Sequence, residues 1–192
     1  RPADSIQGAK RALNGNSDPF DVKYWCVGNE MFGTWQLGWM QLNHYVIKHN
    51  QVADAMWSVD PELHLVAVGD LMGINADHDP QQAESGKTWS EVMLEECADH
   101  MDSISEHFYR GRLEWADPEP TDVITHVGYL KEAIRERAEG HRKLQAGMEH
   151  LGDRRIPIAM DEWNYWHPDY VYGELGCVYD LKDGLGVAMG LH

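Results

Sequence analysis

Val22-Lys23-Tyr24-Trp25-Cys26-Val27-Gly28-Asn29-Glu30 decides how this chain is read. Its first six residues are mostly β-branched, aromatic or apolar, with no breaker before Gly28, and they predict a short buried strand. Burial on both faces is the environment of a strand in a parallel sheet or barrel. Cys26, inside this run, reads as a core residue and not as a nucleophile. The strand ends in a glycine, an amide and a carboxylate. In a (β/α)8 barrel that end of a strand carries the catalytic groups, so a second carboxylate is expected to face Glu30.

Working outward, the same grammar repeats. A helix over about residues 5–13 and a turn-rich loop at Asn14-Gly15-Asn16-Ser17-Asp18-Pro19 precede the strand. Residues 31–39 form a glycine- and aromatic-rich loop of the kind that shapes pockets. A helix follows over 43–59, with Tyr45, Val46, Val52, Ala55, Met56 and Val59 largely on one face and Pro61 as its stop. The next buried strand covers 63–70. A polar loop covers 71–86, and Trp89, Val92, Met93 and Cys97 mark a helix face. A third strand spans 103–107. After a proline-containing loop, Thr121 reads as the cap of a long helix whose apolar stripe includes Val123, Val127, Leu130, Ile134, His141 and Leu144. The fourth strand, 156–160, ends in Asp161-Glu162-Trp163-Asn164, and a last helix is expected from about residue 175 or 179.

Strand-helix alternation of this kind predicts an α/β fold with a parallel sheet. Four such units make half of an eight-fold barrel. An open doubly wound sheet is the alternative, but no GxGxxG or phosphate-binding loop stands at any strand end. With no repeat, low-complexity tract or linker, residues 1–192 read as one domain.

Composition narrows the function. A formal charge of −16 over 192 residues excludes nucleic acid and an anionic membrane as expected partners. No apolar run approaches the roughly 20 residues of a membrane span. Three scattered cysteines without a CxxC motif fit a reducing, cytoplasmic compartment better than a disulfide framework. Eight Trp and eight Tyr suit either a carbohydrate cleft or a large core.

Two strands end in a carboxylate in an aromatic setting, Glu30 and Glu162. In a parallel barrel both reach one mouth, and two carboxyl groups about 5 Å apart are the equipment of a retaining glycosidase. One attacks the anomeric carbon, and the other protonates the leaving oxygen and then activates water. The structural alternative is two ordinary polar residues at strand ends. Asp77-His78-Asp79 has metal-ligand residue types, but three adjacent side chains in a polar loop cannot all point at one ion, so no metal is expected. His107 fits a third catalytic group or a structural strand-end histidine. Glu106 and Asp161 read as groups supporting the pair from behind. Glu174 fits a rim position or a helix start. Glu132, Arg135, Glu136 and Arg137 read as a solvated helix face.

Several segments carry a more specific likeness. Gly28-Asn29-Glu30-Met31-Phe32-Gly33-Thr34-Trp35-Gln36-Leu37-Gly38 resembles the acid/base segment of glycoside hydrolase family 51, the α-L-arabinofuranosidases. Ser105-Glu106-His107-Phe108-Tyr109 resembles that family's sixth-strand segment, and Asp161-Glu162-Trp163-Asn164-Tyr165-Trp166 its nucleophile segment. Residues 18–25, 66–70 and 173–176 are also similar, in the same order. The resemblance implies Glu30 as general acid/base and Glu162 as nucleophile. It implies that Asn29 bonds the sugar hydroxyl beside the anomeric carbon, that Tyr109 orients the nucleophile, and that Trp166 walls the sugar. It further implies retaining removal of terminal α-L-arabinofuranosyl residues from arabinan or arabinoxylan oligosaccharides, without a cofactor. The likeness runs from the family's fourth strand to the helix after its seventh. The chain is thus expected to be a barrel fragment with open sheet edges that drive self-association. A catalytically inactive fragment that binds sugar weakly or assembles with a complementary piece is the competing expectation.

Overall fold

The structure is a computed structural model that describes residues 2–73, 79–110 and 123–165. Four strands form one sheet in the order β1-β2-β3-β4, and every neighbouring pair is parallel. They are β1 (Tyr24–Cys26), β2 (His64–Ala67), β3 (Ser103–Arg110) and β4 (Ile158–Tyr165). Helix α1 (Ile6–Leu13) precedes the sheet. Helix α2 (Leu42–Val59) joins β1 to β2, α3 (Pro80–Ser85) and α4 (Trp89–Glu96) lie between β2 and β3, and α5 (Val123–Ala146) lies between β3 and β4. The alternation read from the sequence is therefore the topology of the sheet.

The helix starts follow from their caps. Ser5 Oγ accepts the Gly8 amide at 3.0 Å, and Thr88 Oγ1 accepts the Glu91 amide at 3.2 Å. Helix α2 has no side-chain cap of its own. Asp79, buried beside it, accepts the Leu42 amide at 2.7 Å and the Gln82 amide at 3.3 Å, serving α2 and α3 together. Asp79 is thus engaged as a cap. Asp77 and His78, the other members of the candidate metal triplet, lie outside the described residues.

The core fills the layer between sheet and helices. Trp89, Met93 and Cys97 recur every four residues and are buried against Leu42, Tyr45, Ala67, Val68 and Ile104. Each large side chain of this kind contributes about 1.5–3 kcal/mol relative to an exposed one. Two polar atoms in the core are also used. Trp89 Nε1 donates to the Val68 carbonyl at 3.1 Å. Tyr45 Oη donates to the Val27 carbonyl at 2.6 Å and accepts the Val68 amide at 3.0 Å. The exit of β1, where Asn29 and Glu30 are mounted, is thus tied to the exit of β2 by one buried hydroxyl.

Several expectations need correction. The strand built on residues 22–27 is shorter and is not buried. Tyr24 is 70% exposed and Trp25 47%, because among the described residues β1 is the edge of the sheet and pairs only with β2. Cys26 is exposed for the same reason and is no core residue. On α2, Val52 and Val59 are exposed and line an apolar groove with Phe20, Val22 and Trp25 along that open edge. The buried face is Leu42, Tyr45, His49 and Ala53. Finally, Arg137 is buried and not solvated, with its guanidinium 4.7 Å above the Phe108 ring. The loop over 71–86 also contains helix α3, and β4 runs on through Asp161 and Glu162 where the sequence suggested an end before them.

Candidate active site

The site is assembled where β1, β3 and β4 end. After β1 the backbone turns sharply through two left-handed residues, Gly28 at φ 101° and Glu30 at φ 44°. A side chain at Gly28 would press on Met31, so glycine suits that position. For Glu30 the conformation is strained, which is common where function fixes a side chain. The loop that follows holds its own shape. Gly33, Gln36 and Trp39 amides donate to the carbonyls of Glu30, Gly33 and Gln36, and the Met40 amide closes the loop on the Met31 carbonyl at 2.9 Å. Phe32 anchors it, buried edge-on against Trp89 at 5.7 Å. Two residues of the loop return to the carboxylate. Trp35 Nε1 donates to Glu30 Oε2, and Gln36 Nε2 donates to the same oxygen at 3.0 Å.

The other side of the site depends on a slip in register. Ser105 pairs with Ala159, yet His107 pairs with Glu162: two steps on β3 match three on β4. The extra residue is a β-bulge. It brings consecutive acids toward the same histidine, where a regular strand would send them to opposite faces. Asp161 Oδ1 lies 3.3 Å from His107 Nε2, and Glu162 Oε2 lies 3.5 Å from His107 Nδ1. His107 Nδ1 donates to Glu30 Oε1 at 2.9 Å. Tyr109 Oη donates to Glu162 Oε1 at 2.7 Å. One oxygen each of Glu30 and Glu162 and a nitrogen of His107 lie within 4.8 Å of one another.

The electrostatics follow from this crowd. Burial alone pushes the His107 pKa down, but Asp161, Glu30 and the charge of Glu162 together raise it to about 9. At neutral pH it is an imidazolium. Burial pushes Glu30 up, but hydrogen bonds from His107, Trp35 and Gln36 outweigh it and leave its carboxyl below the ordinary value. Asp161 is likewise depressed, its burial outweighed by His107 and Cys26. Burial and then Glu162 push the Tyr109 phenol up, so it stays a donor. Glu30, His107 and Glu162 have the ligand types of a divalent-cation site. An ion held there would have to displace a proton from His107, whose carboxylate neighbours hold that proton firmly.

The structure thus brings Glu30, Glu162, His107, Tyr109 and Asp161 together. Asn29 is exposed at the exit of β1, next to Glu30. Glu106 does not join them. It is buried on the helix side of β3, where its carboxylate accepts from Ser90 Oγ at 2.7 Å and the Leu71 amide at 3.0 Å and pairs with His141 Nε2 at 2.7 Å. Trp166 and Glu174 lie outside the described residues, as do Thr121 and the expected last helix. Sequence reasoning missed three participants. Trp35 and Gln36 stood in the aromatic loop and in the segment resembling the acid/base segment, but with no role of their own. Cys26, assigned to the core, donates its thiol to Asp161 Oδ2 at 3.2 Å.

Known proteins of one family resemble this chain over most of its length. The α-L-arabinofuranosidase 1 domain family matches residues 1–120. An intracellular exo-α-(1→5)-L-arabinofuranosidase of Streptomyces lividans is 30% identical over 182 residues, covering 92% of this chain and 25% of the relative. The crystal structure of an arabinose complex of Thermotoga maritima α-L-arabinofuranosidase superposes with a TM-score of 0.67 at 29% identity, covering 98% of this chain and 35% of that one. The thermostable family 51 enzyme of Thermotoga petrophila gives 0.60 at 31% identity, over 85% and 29%. The chain therefore spans about a quarter to a third of the length of these relatives. Its four parallel strands and their helices are half of the (β/α)8 barrel in that family. By sequence and by fold, this chain belongs to the glycoside hydrolase family 51 α-L-arabinofuranosidases.

Proposed function

We propose that the site performs retaining hydrolysis of terminal α-L-arabinofuranosyl residues on arabinan or arabinoxylan oligosaccharides. The observation that carries this reading is the approach of the Glu30 and Glu162 carboxylates to within 4.8 Å around one imidazolium. Retaining glycosidases need their two carboxyl groups about 5–5.5 Å apart, whereas inverting ones leave room for a water at about 6.5–9.5 Å.

In the first step a Glu162 oxygen attacks the anomeric carbon while the bond to the leaving oxygen breaks. Tyr109, donating to Oε1, holds the nucleophile aimed. Glu30 delivers a proton to the leaving oxygen. In the second step Glu30 takes a proton from water, which attacks the same carbon and releases Glu162. Asn29 bonds the neighbouring hydroxyl, and Trp166 walls the ring. Glu30 rests ionised here, so the proton it donates must come from a neighbour. His107, protonated and 2.9 Å away, is that reservoir, and the proton that Glu30 takes from water in the second step passes back to it. The relatives named for arabinofuranosidase activity, the Thermotoga maritima structure with arabinose and the intracellular naming of the Streptomyces enzyme support the substrate and a cytoplasmic setting.

Two variants test the roles, made in a longer protein that completes the barrel around these residues. Glu162→Ala abolishes turnover on every substrate, because no glycosyl-enzyme forms. Glu30→Ala retains the first step on substrates with good leaving groups, and azide restores the second. Azide rescue that tracks Glu162 instead reverses the assignment.

A second reading applies to the 192 residues alone: a fragment with weak sugar binding that pairs through its open edge with another copy or a complementary piece. The exposed β1 and the short span relative to its relatives favour it. Site groups must be held within about 0.5 Å by packed surroundings. Assay with an aryl α-L-arabinofuranoside, beside size measurement, separates the readings: little turnover and self-association are expected.

A further inference from the structure

We infer that Cys26 is a positioning residue for proton delivery by Glu30: its thiol fixes Asp161, and Asp161 fixes His107. The inference rests on the proposed role of Glu30 and extends it across the sheet.

Cys26 ends β1 and Asp161 lies in β4, the outer strands of the sheet, 135 positions apart in sequence. Their side chains nevertheless meet, with Cys26 Sγ 3.2 Å from Asp161 Oδ2. The sheet therefore curls far enough for its outer strands to touch across the inner face. From there the contacts form a ring. Asp161 Oδ1 lies 3.3 Å from His107 Nε2, His107 Nδ1 lies 2.9 Å from Glu30 Oε1, and the backbone of residues 27–29 leads back to Cys26.

Each member of the ring has a reason for its place. The Asp161 side chain is 30% exposed and, without a partner, would turn toward water. With Oδ2 taken by the thiol, Oδ1 is left for the imidazolium. A thiol is a weak donor without charge, so it orients the carboxylate and leaves the negative charge to His107. Burial and Asp161 raise the Cys26 pKa to about 11, so the proton stays on sulfur and the thiol remains a donor. Glu162 faces the ring from β4, 3.5 Å from His107 Nδ1, and is itself held by Tyr109 Oη.

The ring decides which proton moves. In the first step the Nδ1–H bond of His107 breaks and a proton passes through Glu30 to the leaving oxygen. The glycosidic C–O bond breaks as Glu162 bonds the anomeric carbon. Asp161 keeps the remaining imidazole proton on Nε2 and takes none itself. In the second step a proton from water returns through Glu30 to Nδ1. Without the thiol, Asp161 turns away, the imidazole tilts, and Nδ1 loses its line to Glu30.

Two measurements test this role. The first is the infrared S–H stretch of Cys26 in the 192-residue chain, separated from the other two cysteines by subtracting the Cys26→Ser spectrum. It is expected at a lower frequency than in Asp161→Asn, whose neutral amide is the weaker acceptor. The second is kcat/KM, which reports the first step, in a longer protein that completes the barrel around these residues. Cys26→Ala is expected to lower it about tenfold for an arabinotriose, whose leaving alkoxide needs the proton. For a dinitrophenyl α-L-arabinofuranoside, whose leaving group needs none, the loss is no more than about twofold. Cys26→Ser, which keeps a donor, is expected to recover most of the loss. Equal losses on both substrates, no loss on either, or no recovery in Cys26→Ser overturns the role and spares the function. A thiol band that ignores Asp161→Asn does the same. Failure of the unaltered longer protein to turn over either substrate overturns the function, and the role falls with it.

Discussion

Strand β3 carries a histidine-carboxylate pair on each of its faces, built from adjacent residues. On the helix side Glu106 and His141 meet at 2.7 Å, each side chain 2% exposed. At the mouth His107 and Glu30 meet at 2.9 Å, with Asp161 and Glu162 drawn in, 30% and 35% exposed. The bonds are alike and the roles are not. Glu106 is saturated: a hydroxyl, a backbone amide and an imidazole occupy it, and it fastens α4, α5 and the exit of β2 to the sheet. His107 is one imidazolium shared among three carboxylates, so negative charge is left over within reach of solvent. Saturation makes the first pair architecture, and surplus makes the second a place for chemistry.

The largest expected effect tests that division. Glu106→Ala strands Ser90, Leu71 and His141 inside the core and is expected to cost about 3–5 kcal/mol in urea unfolding. Glu30→Ala, whose partners can turn to water, is expected to cost about 1 kcal/mol. Equal losses would break the comparison. Next comes the response to pH. The His107 pKa is raised in the folded state, so its stabilisation is full below about 6.5 and is lost as pH climbs through about 9. The loss is on the order of 2–3 kcal/mol, read from urea midpoints across that window, and His107→Gln should flatten it. Glu30 and Asp161 are depressed and act in the opposite sense. Their share is present above the ordinary carboxylate range and vanishes as pH falls through their lower folded values.

The smallest effect lies at the edge of the cluster. Burial and the Asp161 carboxylate raise the Cys26 thiol to about 11, so this exposed cysteine should alkylate slowly at neutral pH. Asp161→Asn should speed iodoacetamide labelling about fivefold, followed by mass spectrometry. An unchanged rate would mean that the thiol does not sense the cluster.

Much of this was legible in the residues. Strand order, helix order and the convergence of Glu30, His107, Tyr109 and Glu162 at the carboxyl ends follow from alternation and from the residue types at each exit. Three things were not. An apolar hexapeptide such as residues 22–27 looks the same in the middle of a sheet and at its rim, so the exposure of Cys26 had no local signal. His141 sits in an apolar helical stripe and reads as a filler of the core; only the fold puts Glu106 opposite it. The bulge before Glu162 depends on pairing across more than fifty residues, and no window within β4 contains that information.

The bulge has a consequence for how this protein can change over time. On either side of it β4 is in opposite phase, so the orientation of Glu162 is set by a count of residues and not by their kind. A single insertion among residues 159–161, with the bulge still holding one extra residue, would leave every side chain of the site in the sequence and turn the later ones half a pleat around. Glu162 would then face the helices, and Trp163 would enter the mouth. Substitutions can drift through this strand one at a time, but its length is under a sterner rule. Indels here should be purged in living lineages, even where the replacements around them are tolerated.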